Sequence, residues 1–210
     1  MAKNYTKVHD YIKNEFNVLI VGPAGTGKTS IVKKVCNELG FKMKYIDASL
    51  ADEFVDLVGI PAPDHENNVI KFFKTHDLLD AEVIVVDELN RGSRGFRNGI
   101  LEASLEGAIK GEKLPNLRCL VAMMNPNEEG YQVDDLDVAL IDRFDARLYF
   151  EPTIDMRYFT DKFNRDVAKV VKKWWDDYNS QVKDKSNKNK KVYISPRRMD
   201  KVVAGFQKIP

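Results

Sequence analysis

The chain is poor in the residues that would signal several common chemistries, with only two cysteines and three histidines among 210 residues. Cys36 lies on a helical pattern and Cys119 in an apolar strand pattern, so both read as small buried hydrophobes and point to a reducing, intracellular setting. His9, His65 and His76 are scattered, and no cysteine or histidine stands at metal-ligand spacing, which argues against a zinc site. No run approaches the roughly 18 apolar residues of a membrane span. The amino-terminal residues also lack the charged start and apolar core of a secretion signal. A soluble, cytoplasmic protein without membrane attachment is the expectation. An excess of one charge is missing too: 33 Lys and Arg face 32 Asp and Glu, a net charge of +1. Any contact with nucleic acid or an anionic surface would therefore need a local patch.

What is present suffices for one sizeable core with a small satellite, since 43% of the residues are hydrophobic and 31% charged. Strand signals recur at Val18 to Val21, Lys42 to Asp47, Val83 to Asp87, Leu117 to Met124 and Arg147 to Phe150, separated mostly by helical patterns. That alternation predicts an α/β protein with a parallel sheet. The first of these helices carries Ile31, Val32, Val35 and Leu39 and stops at Gly40, and another is expected from Ser93 to Glu106. Asp56 to Asp80, with Pro61, Pro63 and Asn67-Asn68, and Gly107 to Asn116 fit poorly as plain connections. Both read as inserted short hairpins, with ordinary surface loops as the alternative.

After Phe150 the pattern changes. Glu151-Pro152 interrupts it, and Phe159, Phe163, Val167, Val170, Val171, Trp174, Trp175 and Tyr178 form an apolar helical stripe. A division into residues 1–150 and a small helical subdomain over 151–210 is expected, the latter with one long helix and one shorter. The aromatics of the stripe read as core packed against the final helix. Lys183 to Lys191 reads as a solvated linker, with nucleic-acid contact as the minor alternative.

Two segments carry chemistry. Gly22-Pro23-Ala24-Gly25-Thr26-Gly27-Lys28-Thr29 follows an apolar strand and opens a helix, the setting of a phosphate-binding loop. Its glycines let backbone N–H groups close around phosphates, and the helix start points its positive end at the anion. Lys28 is then a point charge for the outer phosphates, and the Thr29 hydroxyl a ligand for magnesium. With Ser30 beside them, Gly22 to Ser30 are the candidate nucleotide-binding residues. The second segment, Val83 to Glu88, is a strand ending in two carboxylates. Asp87 is placed to hold the magnesium ion, and Glu88 to orient and polarise an attacking water.

Reading on through Asp87-Glu88-Leu89-Asn90-Arg91, Met124-Asn125-Pro126-Asn127-Glu128-Glu129-Gly130 and Ile141-Asp142-Arg143-Phe144, the chain resembles a MoxR-type AAA+ ATPase. The same clade includes McrB-like and gas-vesicle-associated ATPases, and the likeness spans roughly residues 15 to 150. Asp56-Leu57-Val58-Gly59 is similar to the segment before that clade's helix-2 insertion. The resemblance implies a P-loop NTPase fold: a parallel five-stranded sheet sandwiched by helices, with a small C-terminal helical lid. It implies ATP and Mg2+ as ligands and a homo-oligomeric ring, hexameric in the family. It also implies a protein client, with von Willebrand A-domain proteins as frequent partners.

Residue roles follow from the same resemblance. Asn125 is implied as the sensor-1 amide facing the attacking water or γ-phosphate, where a turn residue before Pro126 is the plain alternative. Arg143 is implied as the finger reaching a neighbouring subunit's nucleotide, against a local ion pair with Asp142 or Asp145. Ser195-Pro196-Arg197-Arg198 reads as a helix start, with Ser195 as N-cap and Pro196 at the first helical position. Arg197 there is similar to the family's sensor-2 arginine, or is a solvent-exposed helix residue. Arg91 and Arg94 are either interface cations or surface charges. The stretch before the phosphate loop is short, and residues 151–210 are lean for an AAA+ lid whose last helices would be absent. Two further functions stay open. One is a DNA- or RNA-associated motor, for which only the lysine-rich linker and Arg91, Arg94 and Arg97 supply charge. The other is an ATP-gated switch that seldom hydrolyses.

Overall fold

A computed structural model of the chain describes residues 2–73, 76–126, 138–183 and 194–208. Its strands form where apolar β-branched runs can be buried on both faces. β1 (Val18–Val21), β2 (Met43–Asp47), β5 (Val83–Asp87), β8 (Cys119–Met124) and β9 (Ala146–Tyr149) make one sheet in the order β2-β5-β8-β1-β9. Every neighbouring pair is parallel. Between β2 and β5 come an antiparallel hairpin of β3 (Ile60–Asp64) and β4 (Val69–Phe73) and a short helix, α3 (His76–Leu79). A second hairpin, β6 (Ala108–Ile109) and β7 (Glu112–Lys113), precedes β8. Helices α1 (Ala2–Lys13), α2 (Lys28–Leu39), α4 (Arg94–Glu106) and the short α5 (Val138–Ile141) complete the set up to Tyr149. None of the described helices is long and apolar enough to cross a membrane.

The chain divides into two units: Ala2–Gly22 with Lys28–Tyr149, and Phe150–Pro210 with the loop Pro23–Gly27. In the larger unit the core joins Leu19, Ile84, Val86, Leu120 and Ala122 of the central strands to Leu57, Phe96 and Ile100. Cys36 on α2 and Cys119 on β8 are both buried, which pushes their thiols up to about 11 and about 12. Asn17 ties three segments at the head of β1. Its N–H donates to Asp145 Oδ2 at 2.7 Å, its amide donates to Ser104 O at 3.1 Å, and its Oδ1 accepts from Leu120 N at 2.9 Å. Ser93 caps α4 by accepting from Phe96 N, and Gly107 closes it in the left-handed conformation. A π-helical turn over Glu53–Val58 lies against α4 so closely that a Cβ on Gly99 would stand 2.9 Å from Leu57 Cδ1.

The structure corrects the helix count at both ends. Residues 2–13 form α1, which the sequence reading left without an element; Val8 and Ile12, one turn apart, are completely buried. Among the described residues after Phe150 there are three helices instead of two: α6 (Met156–Lys162), α7 (Arg165–Lys183) and α8 (Pro196–Phe206). The apolar stripe runs through a break at Asn164, whose side chain caps α7 by accepting from Val167 N at 2.9 Å. Its core is Ile154, Phe159, Ala168, Val171, Trp175 and Met199. Trp175 Nε1 donates to Ile194 O at 2.7 Å. The expectation of buried aromatics holds for Phe159 and Trp175 and fails for Trp174, which is 47% exposed and stacks on Tyr178. Residues 127–130 of the motif after Asn125, and the linker from 184 onward, lie outside the described residues.

Candidate functional site

Parallel strands bring their C-terminal ends to one edge of a sheet, where an α/β protein binds its ligand. Here Val21 of β1 is level with Met124 of β8, and Val86 of β5 with Ala122. That register sets Gly22, Asp87 and Asn125, each at or just past a strand end, beside one another. Gly22 N donates to Met124 O at 3.1 Å, and Ala48 N to Asp87 O at 2.9 Å, so both edges of this row are fixed by backbone bonds.

Lys28 opens α2 and is only 6% exposed, while Asn125 is 5% exposed. A buried ammonium needs acceptors. Nζ of Lys28 donates to Asn125 Oδ1 at 3.0 Å and also to Gly22 O. One residue on, Thr29 Oγ1 donates to Asp87 Oδ2 at 2.8 Å. The other Asp87 oxygen accepts Glu88 N at 3.0 Å. Glu88 itself has φ 52 and ψ 39, a left-handed conformation that costs a non-glycine residue about 1–3 kcal/mol. Its carboxylate is engaged by Arg91, with Nη1 2.8 Å from Oε2. Thr29 and Asp87 thus offer a hydroxyl and a carboxylate oxygen in contact. Hard oxygen donors of this kind suit Mg2+, which takes its remaining ligands from phosphate and water.

In the smaller unit, the loop Pro23–Gly27 holds its own shape through Thr26, 3% exposed, whose hydroxyl donates to Pro23 O at 2.9 Å. Ala24 and Ser30 are exposed, and Gly25 and Gly27 have φ of +77 and +85, where a side chain would be strained. At Gly25 a Cβ would also meet Ser195 Oγ at 2.9 Å and Arg197 Cβ at 3.1 Å. Ser195 is the N-cap of α8, accepting from Arg198 N at 3.2 Å, which sets Arg197 in the first turn. Arg143 follows α5 and is exposed. Asp145 is taken up by Asn17, and among the described residues no ion pair joins Arg143 to it or to Asp142.

Two residues of this cluster were given no role by sequence reasoning. Tyr45 donates its hydroxyl to Asp87 Oδ2 at 3.1 Å. Burial, then the charges of Asp87, Asp47 and Glu88, push its phenol up to about 12, so it stays a neutral donor. Asn90, 1% exposed, donates to Asn125 O at 3.1 Å, and its Oδ1 is buried without a partner among the described residues. Asn90 stands inside the quoted Asp87 to Arg91 motif. Tyr45 could be found only from the pairing of β2 with β5, which sets Asp47 beside Asp87.

Similar proteins include the ATP-binding subunit ClpX of the ATP-dependent Clp protease from Treponema denticola, 28% identical over 103 residues, or 47% of this chain and 24% of that one. An ATP-dependent zinc metalloprotease YME1 homolog from Caenorhabditis elegans is 30% identical over 73% of this chain and 21% of its own. The cytidylate kinase of Shouchella clausii is 28% identical over 69% of this chain and 63% of its own. A crystal structure of an inferred ATPase from Cytophaga hutchinsonii shares the fold at a TM-score of 0.56 and 18% identity, covering 99% of this chain and 58% of that one. The chain therefore spans less than two thirds of the length of each of these proteins. Residues 18–152, more than half of the sequence, match the family model itself, so the chain belongs to the ATPase family associated with various cellular activities (AAA) and has its nucleotide-binding P-loop fold.

Proposed function

We propose that the chain is a MoxR-type AAA+ ATPase that hydrolyses Mg-ATP, assembles into a ring, hexameric as in the resemblance, and remodels a protein client. One observation carries the hydrolytic part: the contact of Lys28 with Asn125 and of Thr29 with Asp87, which joins two strand ends to the head of α2. In this reading Lys28 and the loop Gly22 to Ser30 bind the phosphates, and Thr29 and Asp87 hold Mg2+. Bound there, Mg2+ supplies charge that offsets the phosphate oxygens. Glu88 takes the proton of the attacking water and Asn125 orients that water, so Glu88 must first leave Arg91. Arg143, exposed and not ion-paired with its acidic neighbours, serves a neighbouring subunit's nucleotide. Arg197, in the first turn of α8, is assigned to the γ-phosphate by its similarity to the family's sensor-2 arginine. The similarity to an ATP-binding protease subunit and an ATP-dependent protease supports a protein client. A von Willebrand A-domain protein is the client class that the MoxR resemblance suggests.

The Glu88–Arg91 ion pair favours a second reading, an ATP-gated switch in which Glu88 is held away from water. Steady-state hydrolysis against protein concentration, for the native chain and Glu88→Gln, separates the two. A motor with shared sites gives a rate that rises more than linearly and falls about a hundredfold or more in Glu88→Gln, with ATP binding kept. A rate strictly proportional to concentration down to nanomolar protein rules out the shared site. Tight ATP binding by the native chain with no turnover selects the switch.

A further inference from the structure

The hairpin of β3 and β4 is exposed on both faces: Ile60, Val69, Ile70, Phe72 and Phe73 are 59%, 49%, 66%, 41% and 62% exposed. Five large apolar side chains in one hairpin mark an interaction site more often than a solvated loop. Among the described residues the two strands form a sheet by themselves. Their register sets Pro61 opposite Phe72 and Pro63 opposite Ile70. A proline has no N–H to give a ladder, so the hydrogen-bonded pairs must be the alternate ones, Ile60 with Phe73, Ala62 with Lys71 and Asp64 with Val69. The main-chain groups of 61 and 63, and of 70 and 72, then point away from the partner strand. On β3 that outer edge has carbonyls but no donor. On β4 it presents both the N–H and the C=O of Ile70 and of Phe72.

We infer that the outer edge of β4 is a docking site for an extended segment of a client protein, which joins the hairpin as a third strand. The occupant must be extended, because donors and acceptors that repeat about every 7 Å along an edge are matched only by another strand. Along β4 the side chains are Val69, Ile70, Phe72 and Phe73 with Lys71 between them, and Lys71 Nζ lies 2.6 Å from Asp64 Oδ2 of β3. The complement is an apolar strand, and an acidic residue in it opposite Lys71 shares the half-exposed ammonium with Asp64. A second copy of the chain fits poorly. The β3 edge has no donors at 61 and 63 for a neighbour's β4, and the β4-against-β4 register that pairs both Ile70 and Phe72 of each copy, centred on Lys71, sets two lysines opposite each other. The inference rests on the reading that this chain acts on a protein, and names the form in which that protein is held.

The probe is a fluorescein-labelled peptide with two valines on each side of a central glutamate and threonines beyond. Saturable binding to the native chain is expected, with slowed amide exchange at Ile70 and Phe72 by NMR. Ile70→Pro with Phe72→Pro removes two outward donors and no ladder donor, as the prolines of β3 already do, and weakens binding about thirtyfold. Phe72→Leu keeps the donors and stays within about threefold. Lys71→Glu, which leaves the backbone donors in place but also breaks the Asp64 ion pair of the hairpin, weakens the glutamate peptide and is rescued by a peptide with central lysine. Absence of saturable binding, equal loss in Phe72→Leu, or protection of the two amides that grows with protein concentration without peptide overturns the proposal. ATP turnover of the same samples is a separate readout: its absence from the native chain counts against the ATPase reading, while the peptide results still decide the edge.

Discussion

At the scale of the residue, Asp87 is the most heavily engaged acid of the cluster, since its two oxygens receive Thr29, Tyr45 and the Glu88 amide. Tyr45 steers that carboxylate from the neighbouring strand without taking a place in any motif. Tyr45→Phe keeps the ring, over which Lys33 lies 4.8 Å from the centroid, and deletes the donor alone. The Mg2+ concentration needed for binding a fluorescent ATP analogue should rise about tenfold, because a hydrogen bond to a charged group is lost. Binding without Mg2+ should not change, and an unaltered Mg2+ requirement would reduce Tyr45 to packing. Lys28 and Thr29 in one short segment, and Asp87 and Glu88 in another, could be put forward from the sequence as candidates, and the structure brings Thr29 and Asp87 into contact. Tyr45 could not, because its partner lies 42 positions away and is reached only through strand register.

At the scale of the element, periodicity located the buried strands well and the polar helices poorly. β5 and β8 are buried along nearly their whole length, and such runs stand out in a sequence. α1 is rich in polar residues, and among its described side chains only Val8 and Ile12 are fully buried anchors, too few to raise a periodic signal. The stripe through Phe159, Phe163 and Val167 hid the break at Asn164, because a count of apolar spacing gives no weight to a capping side chain. The two awkward stretches are hairpins, at Ile60 to Phe73 and Ala108 to Lys113, as their turn residues suggested. Asn17 carried no signal either, since a single polar residue before a strand is common. Its three bonds tie the head of β1 to α4, β8 and the approach to β9. Asn17→Ala keeps the backbone N–H bond to Asp145 and deletes the two side-chain bonds, so it should cost about 2 kcal/mol in urea unfolding, at roughly 1 kcal/mol for each bond left open. A loss under about 1 kcal/mol would mean that water replaces both side-chain bonds.

At the scale of the whole molecule, the parallel sheet follows from apolar runs alternating with helices, and the family match over residues 18–152 agrees with that reading, while the order β2-β5-β8-β1-β9 came only from the structure. The balanced charge of +1, by contrast, says nothing about what the ring would grip. Assembly is where the proposed activity can be tested without a client. If Arg143 acts on a neighbour's nucleotide, Arg143→Ala and Glu88→Gln damage different halves of one site. Each variant alone is expected to be nearly inactive while still binding ATP. Mixed in equal amounts, they should regain activity, because a site with intact Glu88 then meets a neighbour with intact Arg143 at about one interface in four for a cyclic head-to-tail ring. Recovery near that fraction places the arginine in trans. Mixtures that stay as inactive as their components would assign Arg143 to its own subunit, and the concentration dependence of the native enzyme would then have to come from assembly stabilising each site separately.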